Sequence, residues 1–591
     1  MIKSVLSDLK KMAALQVIYS LTYLLLFAIN AGGIWFVITL LQNDVSITFF
    51  TQIIVLVFGV NILLGVVNDY CNNIAQGHFQ KLRQIRYRNF NKVALGHTFA
   101  SYDDTRFRAR FRQAADFLSS NISGFEAVLK GCFNFIPVFI VVIISGILLG
   151  YHSIVILIIC MVLNVAKYFA ILKMRDFEIE NILDKGENAN KLNYYRNIAI
   201  DYQFGKDIRL YNLGNFIIYK YGRVVKNIRT LISTQIKIQN KWGNISALST
   251  LLSDIGFYTI TFFLVINNHL EFASLFLLIG LYEVFSHNYR ELIEIVANIK
   301  KDGELYNIYA EFMNISGITI GTPKSNGDAQ HQSVEKCTIE FCNVSFMYPN
   351  SDNYILRNIN LSVSSDEKIG LIGENGAGKS TIVKLLIGLY TPTSGEILIN
   401  GIKAEAEELR CLASAVFQES DIFAMTLFEN IFPHNSFDEP ALGSLLKTFD
   451  LEKDFLKNDV ITNPMMLKIL DEKGFVPSGG VKQKLLFMRA LLRLNIKFLV
   501  LDEPTSSLDS HSELALYSIL GNMPSERGAV IISHRLAITN MVDRVIVLSK
   551  GMIVADGTHE KLLRKNEEYR LLYEAGRAMY GSDAGGMPEW N

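Results

Sequence analysis

Between residues 14 and 287 the chain carries six apolar stretches, at roughly 14–41, 48–67, 132–150, 153–173, 248–267 and 271–287. A helix needs about 20 apolar residues to cross about 30 Å of hydrocarbon. In lipid the backbone polar groups must be satisfied within the segment, so such runs are helices. This series limits the first half to a polytopic helical membrane domain. Composition agrees, since 50% of the 591 residues are hydrophobic and 19% charged, with the apolar excess before residue 290. No cleavable signal peptide is expected. The first run follows Lys3, Lys10 and Lys11, but it is too long for a signal core and lacks a small-residue cleavage site.

The connections alternate in length and charge. The short ones, near "NDVS", "GYHS" and "NNHLEF", carry no Lys or Arg, whereas the long ones, roughly 70–130 and 174–246, are rich in both ("KLRQIRYRNFNK", "TRFRARFRQ"). The positive-inside rule then places the N-terminus, both long connections and everything after the sixth span in the cytoplasm. Helical spacing of Leu, Ile, Phe and Tyr in the long connections predicts helices that run on from the membrane. They would turn at short segments such as Ala100–Arg106 and Gly205–Arg209; a separate soluble insert in each loop is the alternative. Polar residues within the spans are few: Asn30, Asn61, Asp254 and Glu283. An intramembrane carboxylate is costly, so Asp254 and Glu283 are candidates for substrate contact. The alternatives are helix packing beside a water-filled cavity for Asp254 and a position near the cytoplasmic end for Glu283. Equal numbers of basic and acidic residues, 57 each, give no reason to expect nucleic acid as a partner. The six cysteines are scattered without a CxxC pair and read as reduced and structural.

Met313–Cys337 is rich in Gly, Ser, Asn and Gln and reads as a linker. The expected division is a membrane domain over 1–312, a linker over 313–335 and a second domain over 336–591. In the latter, "EKIGLIG", "GEILING", "KFLVLDE", "GAVIISH" and "RVIVLSKG" alternate with helical patterns, which predicts α/β architecture with a largely parallel, buried sheet. Within it "GENGAGKST" (Gly373, Glu374, Asn375, Gly376, Ala377, Gly378, Lys379, Ser380, Thr381) matches the phosphate-binding G-x-x-x-x-G-K-[ST] loop, with a strand before it and a helix after it. Such a loop aims backbone N–H groups at phosphate oxygens from the positive end of a helix. Lys379 would reach the outer phosphates of ATP and Ser380 would ligate Mg²⁺. In "FLVLDEP" a buried strand ends in Asp502, which can hold Mg²⁺ through a water, and Glu503, which can polarise the attacking water.

With these motifs in this order the chain resembles ATP-binding cassette (ABC) transporters. "VSFMYP" looks like their adenine-stacking loop, with Tyr348 as the ring; a purely structural aromatic remains the alternative. "AVFQESDIFAMTLFENI" resembles the Q-loop, with Gln418 as Mg²⁺ and γ-phosphate sensor. "PSGGVKQK", with Ser478, Gly479 and Gly480, stands where the family has its LSGGQ signature; "SSLD" resembles the D-loop with Asp509, and "SHRL" the switch loop with His534 facing the γ-phosphate. The resemblance covers residues 336–575 densely, and the six-span layout is similar to the exporter-type membrane domain. It implies an all-α polytopic membrane domain, with six transmembrane helices and long cytoplasmic extensions, followed by an α/β P-loop ATPase domain with a helical signature subdomain. It further implies an ATPase coupled to export of a peptide, lipid or amphipathic molecule, using ATP and Mg²⁺. One P-loop and six spans make a half-transporter, so a second half is expected as partner, with ATP sandwiched between the P-loop of one chain and the Ser-Gly-Gly of the other. A multi-pass protein of a bacterial inner membrane, in contact with the bilayer and with a hydrophobic or peptide substrate, is the expected setting.

Two positions depart from the family pattern. Pro477 stands for Leu, and Val481 stands for Gln. Val481 cannot hydrogen-bond through its side chain, and Pro477 lacks an N–H and fixes φ. Glu503 and His534 are intact. In heterodimeric exporters of the family, an altered signature accompanies an intact catalytic glutamate in one chain, and its partner has the reverse. The expectation is therefore a heterodimer, with a homodimer as the alternative. An ATP-gated channel or a membrane regulator is a second class of function. A soluble ATPase of the DNA-maintenance type is excluded by the six apolar runs. A leader-cleaving peptide exporter is not expected, because no peptidase domain fits before residue 14.

Overall fold

The computed structural model describes residues 12–42, 46–267, 272–315, 336–349, 351–433, 438–505, 508–533, 538–539 and 541–579. The chain divides into two compact units, Met1–His97 with Arg106–Gly321, and Thr98–Thr105 with Thr322–Asn591. Of the linker expected over 313–335, residues 313–315 close the last helix of the first unit, and 316–335 lie outside the described residues.

The first unit is helical: α1 (Ala13–Gln42), α2 (Ile47–Gly96), then, beyond the short helix α3 (Phe99–Asp103) of the second unit, α4 (Thr105–Ser119), α5 (Phe125–His152), α6 (Ile154–Glu180), α7 (Ile182–Ile200), α8 (Tyr202–Leu210), α9 (Gly214–Ile266) and α10 (Phe272–Ile315). Among the described residues, five of them, α1, α2, α5, α6 and α9, are long and apolar enough to cross a membrane. The sixth apolar run forms the start of α10, and residues 268–271 before it lie outside the described residues. Helices α2 and α9, of 50 and 53 residues, would each measure about 75–80 Å at ~1.5 Å per residue. Each joins an apolar segment to a basic one without a break. The predicted turning segments are themselves short helices, α3 and α8.

The polar residues of the apolar runs have distinct surroundings. Asn61 Nδ2 donates to Asn30 Oδ1 at 3.1 Å and ties α2 to α1. Tyr282 on α10 donates to Asp254 Oδ1 on α9 at 2.6 Å and stacks on Phe257 with centroids 4.0 Å apart, so Asp254 takes part in helix packing. Glu283 is exposed. Lys167 must be added to this set: it lies inside the run 153–173 and is 3% exposed.

The second unit holds β1 (Thr338–Phe346), β2 (Leu356–Ser364), β3 (Lys368–Gly373), α11 (Lys379–Leu386), β4 (Ser394–Ile399), β5 (Ile402–Lys403), α12 (Ala406–Leu412) and β6 (Ala413–Val416). It continues with α13 (Leu427–Ile431), α14 (Glu439–Thr448), α15 (Glu452–Phe455), β7 (Leu456–Lys457), β8 (Val460–Ile461), α16 (Gly479–Leu491), β9 (Phe498–Asp502) and α17 (Ser510–Gly521). Last come β10 (Gly528–Ile532), β11 (Arg544–Ser549), β12 (Met552–Gly557), α18 (His559–Lys565) and α19 (Glu567–Met579).

One sheet has the order β12-β11-β3-β10-β9-β6. Its strands from β11 to β6 are parallel, and β12 is antiparallel at the edge. Strands β9 and β10 are almost wholly buried, as expected for continuous apolar runs in a parallel sheet covered on both faces. "GEILING" belongs instead to a second, antiparallel sheet, β2-β1-β4-β5. The difference lies in burial: most of β4 is exposed or half-buried, unlike a central parallel strand. Helices α13 to α16 pack around a second core that includes Phe449, Phe455, Met466 and Phe487. The described cysteines, Cys71, Cys132, Cys337, Cys342 and Cys411, are free thiols.

Candidate functional site: a phosphate loop beside paired carboxylates

The buried strand β3 delivers the chain into a tight loop that ends at the start of α11. Gly378 takes φ +104°, and a Cβ there would stand 2.6 Å from Leu356 Cδ2. Only glycine fits this turn without strain. The turn presents the first amides of α11, at Lys379, Ser380 and Thr381, at the positive end of the helix. Gly376, at φ +80°, has no heavy atom within 4 Å of where a Cβ would lie, so a ligand can reach the backbone at the crest. Ala377 N–H donates to Glu374 C=O at 3.2 Å and closes the loop around Asn375.

Lys379 is 6% exposed, and its ammonium donates to the carbonyls of Gly373 and Glu374, each at 2.9 Å. Burial pulls its pKa below the ordinary lysine value, with Glu503 and Asp502 acting in the opposite direction. Asp502 ends β9, which is separated from β3 by β10. Burial raises its pKa, a hydrogen bond from Ser380 lowers it, and the Glu503 charge raises it again. Glu503 has φ +49°, unusual for a residue with a side chain, and its N–H donates to Ile532 C=O at 3.0 Å on β10. The neighbouring strand therefore holds the backbone turn that follows Asp502. A left-handed non-glycine residue of this kind costs about 1–3 kcal/mol and marks an over-determined site.

These groups fit a nucleotide with Mg²⁺. The loop offers N–H donors and one ammonium, the donors that phosphates require. The Ser380 hydroxyl lies close enough to the Asp502 carboxylate to lower its pKa, and both are hard oxygen ligands suited to Mg²⁺. Gln418, two residues past β6, is exposed. β6 adjoins β9, so Gln418 and Asp502 follow neighbouring parallel strands.

Tyr348 sits beside α11, its hydroxyl 3.0 Å from Thr381 Oγ1 and Lys384 Nζ 5.6 Å from its ring centroid. Its ring meets Tyr390 edge-on, at 5.3 Å and 88°. Tyr390 continues the chain of contacts to α3: its hydroxyl donates to Asp103 Oδ2 at 3.0 Å, and Phe99 meets its ring at 5.5 Å and 88°. Sequence reading missed Tyr390 and Asp103, which are 287 positions apart. Only the aromatic after "LLIGL" hints at the first.

Ser478 caps α16, its hydroxyl accepting from Val481 N–H at 3.4 Å. Ser478 and Gly479 are exposed and Gly480 is half-buried. Val481 packs against the core of the helical subdomain, which gives this side chain a place that needs no hydrogen bond. Asp509 is an exposed cap on α17, accepting from Ser512 N–H at 2.7 Å. The signature helix is linked to the rest of the site by residues the motif search did not single out. Gln483 Nε2 donates to Pro504 C=O, just after Glu503. Lys482 pairs with Asp421 at 2.8 Å. Arg489 donates to Asn430 C=O at 2.7 Å and to Asp421 C=O at 3.2 Å, fastening the segment after Gln418 to α16. The lysine-glutamine run after the glycines was the available signal. His534 lies outside the described residues.

A family model described as "ABC transporter" matches residues 356–506. A "Putative export ATP-binding/permease protein" of Rickettsia bellii is 27% identical over 540 residues, covering 85% of either chain. An "ATP-dependent lipid A-core flippase" of Haemophilus ducreyi is 29% identical over 336 residues, 56% of either chain. The solved structure of a bacterial Atm1-family ABC exporter with ATP bound superposes with a TM-score of 0.76, covering 95% of this chain and 98% of that one; at 20% identity the likeness is one of fold.

Proposed function

We propose that this chain, an ABC transporter nucleotide-binding domain fused to a helical membrane domain and related to ABC exporters, is one half of a dimeric exporter that moves a peptide, lipid or amphipathic molecule by alternating access. The observation that carries the dimer is the exposed Ser478-Gly479 at the start of α16. The described hydrogen bond of Ser478 stays within its own helix, while those of Lys379 stay within the phosphate loop. The loop and the signature are thus two lips, each suited to a counterpart on a second chain.

ATP bound with Mg²⁺ supplies the phosphate charge that bridges the two lips and the hydrolysis that resets them. On this reading the loop amides and Lys379 hold the phosphates, Ser380, Gln418 and Asp502 hold the metal, and Tyr348 stacks on the base. Glu503 orients or deprotonates the attacking water, and His534 faces the terminal phosphate. Ser478, Gly479, Gly480 and Asp509 face the site built on the partner. Closing the sandwich shifts the membrane domain because nucleotide binds the closed state more tightly than the open one. The basic long connections orient the nucleotide domain to the cytoplasm, and a bacterial inner membrane suits the fused layout.

The heterodimer reading rests on Val481 and Pro477 in the signature. It is tested by purifying the chain alone in nanodiscs and measuring Mg-ATPase. Negligible turnover, restored by a partner with a glutamine at the position of Val481, supports it. Turnover by the chain alone, lost in Glu503→Gln, would instead establish a homodimer. The exposed Ser478 hydroxyl favours that second reading to the extent that it can bind phosphate without the glutamine.

A further inference from the structure

Within the first unit, α6, α9 and α10 border an open cavity of about 470 Å³ lined in part by Lys167, Asp254, Arg290 and Glu294. Small-molecule sites commonly occupy about 300–1,000 Å³. The same cavity has apolar wall, with Ile171 on α6 and Leu251 on α9. Lys167 is 3% exposed, and its Nζ has no hydrogen-bond partner. A buried ammonium with no acceptor is costly, and the cost is relieved by an anionic or strongly accepting group brought to it or by loss of the proton. The four charged groups are two cations and two carboxylates, but neither carboxylate is a hydrogen-bond partner of Lys167 Nζ. Asp254 is also engaged, since its Oδ1 accepts from Tyr282 at 2.6 Å.

We propose that this cavity binds an amphipath carrying a single anionic group, a carboxylate or a phosphate monoester, seated against Lys167 with Arg290 beside it and its apolar part along Ile171 and Leu251. The proposal rests on the export reading above and names the chemical class of the cargo. Asp254 on α9 and Glu294 on α10 also line the cavity and select against ligands with a second, separate anionic group, because that group would face them. The single anionic group can come from an acylated peptide with a free C-terminus or from a lysophospholipid.

The test is direct binding to the full chain in phosphatidylcholine nanodiscs without nucleotide. Trp242 adjoins the lining residue Gly243 and serves as fluorescence reporter. The probes are N-decanoyl-dialanine, its C-terminal amide and lysophosphatidate. The acid or lysophosphatidate is expected to bind roughly tenfold or more tightly than the neutral amide; which of the two binds assigns a peptide or a lipid source. Lys167→Met abolishes the preference, and Lys167→Arg keeps it. Thermal unfolding of Lys167→Met without probe controls for folding. Removing an unpaired buried charge leaves the transition unchanged or raises it. A lowered transition with unaltered probe affinity would mean that Lys167 pairs with a carboxylate of a second chain, and the proposal would fall. Equal affinity of the wild type for acid and amide also overturns it. Because the readout needs no ATP, the site can fail while the export reading stands; conversely, binding with no effect of the probe on Mg-ATPase of the assembled transporter counts against export and leaves the site intact.

Discussion

Replacing Tyr390 by Phe removes one oxygen from the contact between α3 and the nucleotide domain and leaves the rest in place. Tyr390 is 4% exposed, and its ring is fixed by Tyr348, Phe346 and Phe99 at 5.3, 5.3 and 5.5 Å, contacts that Phe retains. The hydroxyl donates to Asp103 at 3.0 Å. Burial, then the hydrogen bond to Asp103, raise the pKa of Tyr390 above its ordinary value of 10.0, so the proton that makes the bond is present throughout the working pH range. A hydrogen bond to a charged acceptor contributes about 1.5–3 kcal/mol when both groups are buried. Asp103 is exposed, and water replaces much of what it loses. A loss of about 1 kcal/mol is therefore expected, close to a fivefold rise in the undocked population of α3. Hydrogen exchange on the full chain in nanodiscs reads this directly. The amides of Thr98–Thr105 should exchange about fivefold faster in Tyr390→Phe. Exchange in α11 and β9 should not change. Tyr390→Ala also deletes the buried ring, a loss of about 3–5 kcal/mol, and should release α3 altogether. Unchanged exchange in Tyr390→Phe would show that α3 is held by its apolar contacts, Phe99 and Ala100, and that the hydroxyl carries no part of the docking.

Two further outcomes follow from the same geometry. Gly378→Ala forces a Cβ to 2.6 Å from Leu356 Cδ2 at φ +104°; the left-handed backbone alone costs about 1–2 kcal/mol, so ATP affinity by equilibrium dialysis should fall at least tenfold, and unchanged affinity would mean that the loop relaxes freely. The Lys482 hydrogen bond holds the Asp421 carboxyl below its ordinary value of 3.8. A depressed carboxyl stabilises the fold above that value, and the contribution disappears as the pH falls through its folded pKa. Asp421→Asn should therefore be slightly less stable than the wild type at pH 7, and the difference should shrink as the pH falls below 3.8 and through the folded pKa, by thermal unfolding; a difference that persists once the carboxyl is protonated would assign the effect to packing rather than to the ion pair.

The parts of this architecture that were legible in the sequence rest on short-range physics. The apolar runs, the helices continuing into the basic connections and the strands β3, β9, β10 and β11 each follow from periodicity or from an unbroken apolar stretch. The phosphate loop is legible because the glycine at position 378 is required by a local turn. What escaped depends on residues far apart in the chain. Nothing near Asp103 announces that it meets Tyr390, so the membership of Thr98–Thr105 in the second unit could not be read from a basic, helix-prone connection. "GEILING" has strand composition in either sheet, and only its pairing with β1 decides which. Val481 looked like the loss of a hydrogen-bonding side chain, yet its packing against the helical subdomain gives it an independent structural reason to be apolar. That packing bears on the heterodimer argument: a valine serving the core weakens the inference that position 481 was released from catalysis, so the argument needs the Pro477 backbone change as its second support. Lys167 shows the opposite case. The sequence reading passed over it, because a lysine within an apolar run ordinarily snorkels to the interface, and only its 3% exposure with no partner at Nζ sets it apart.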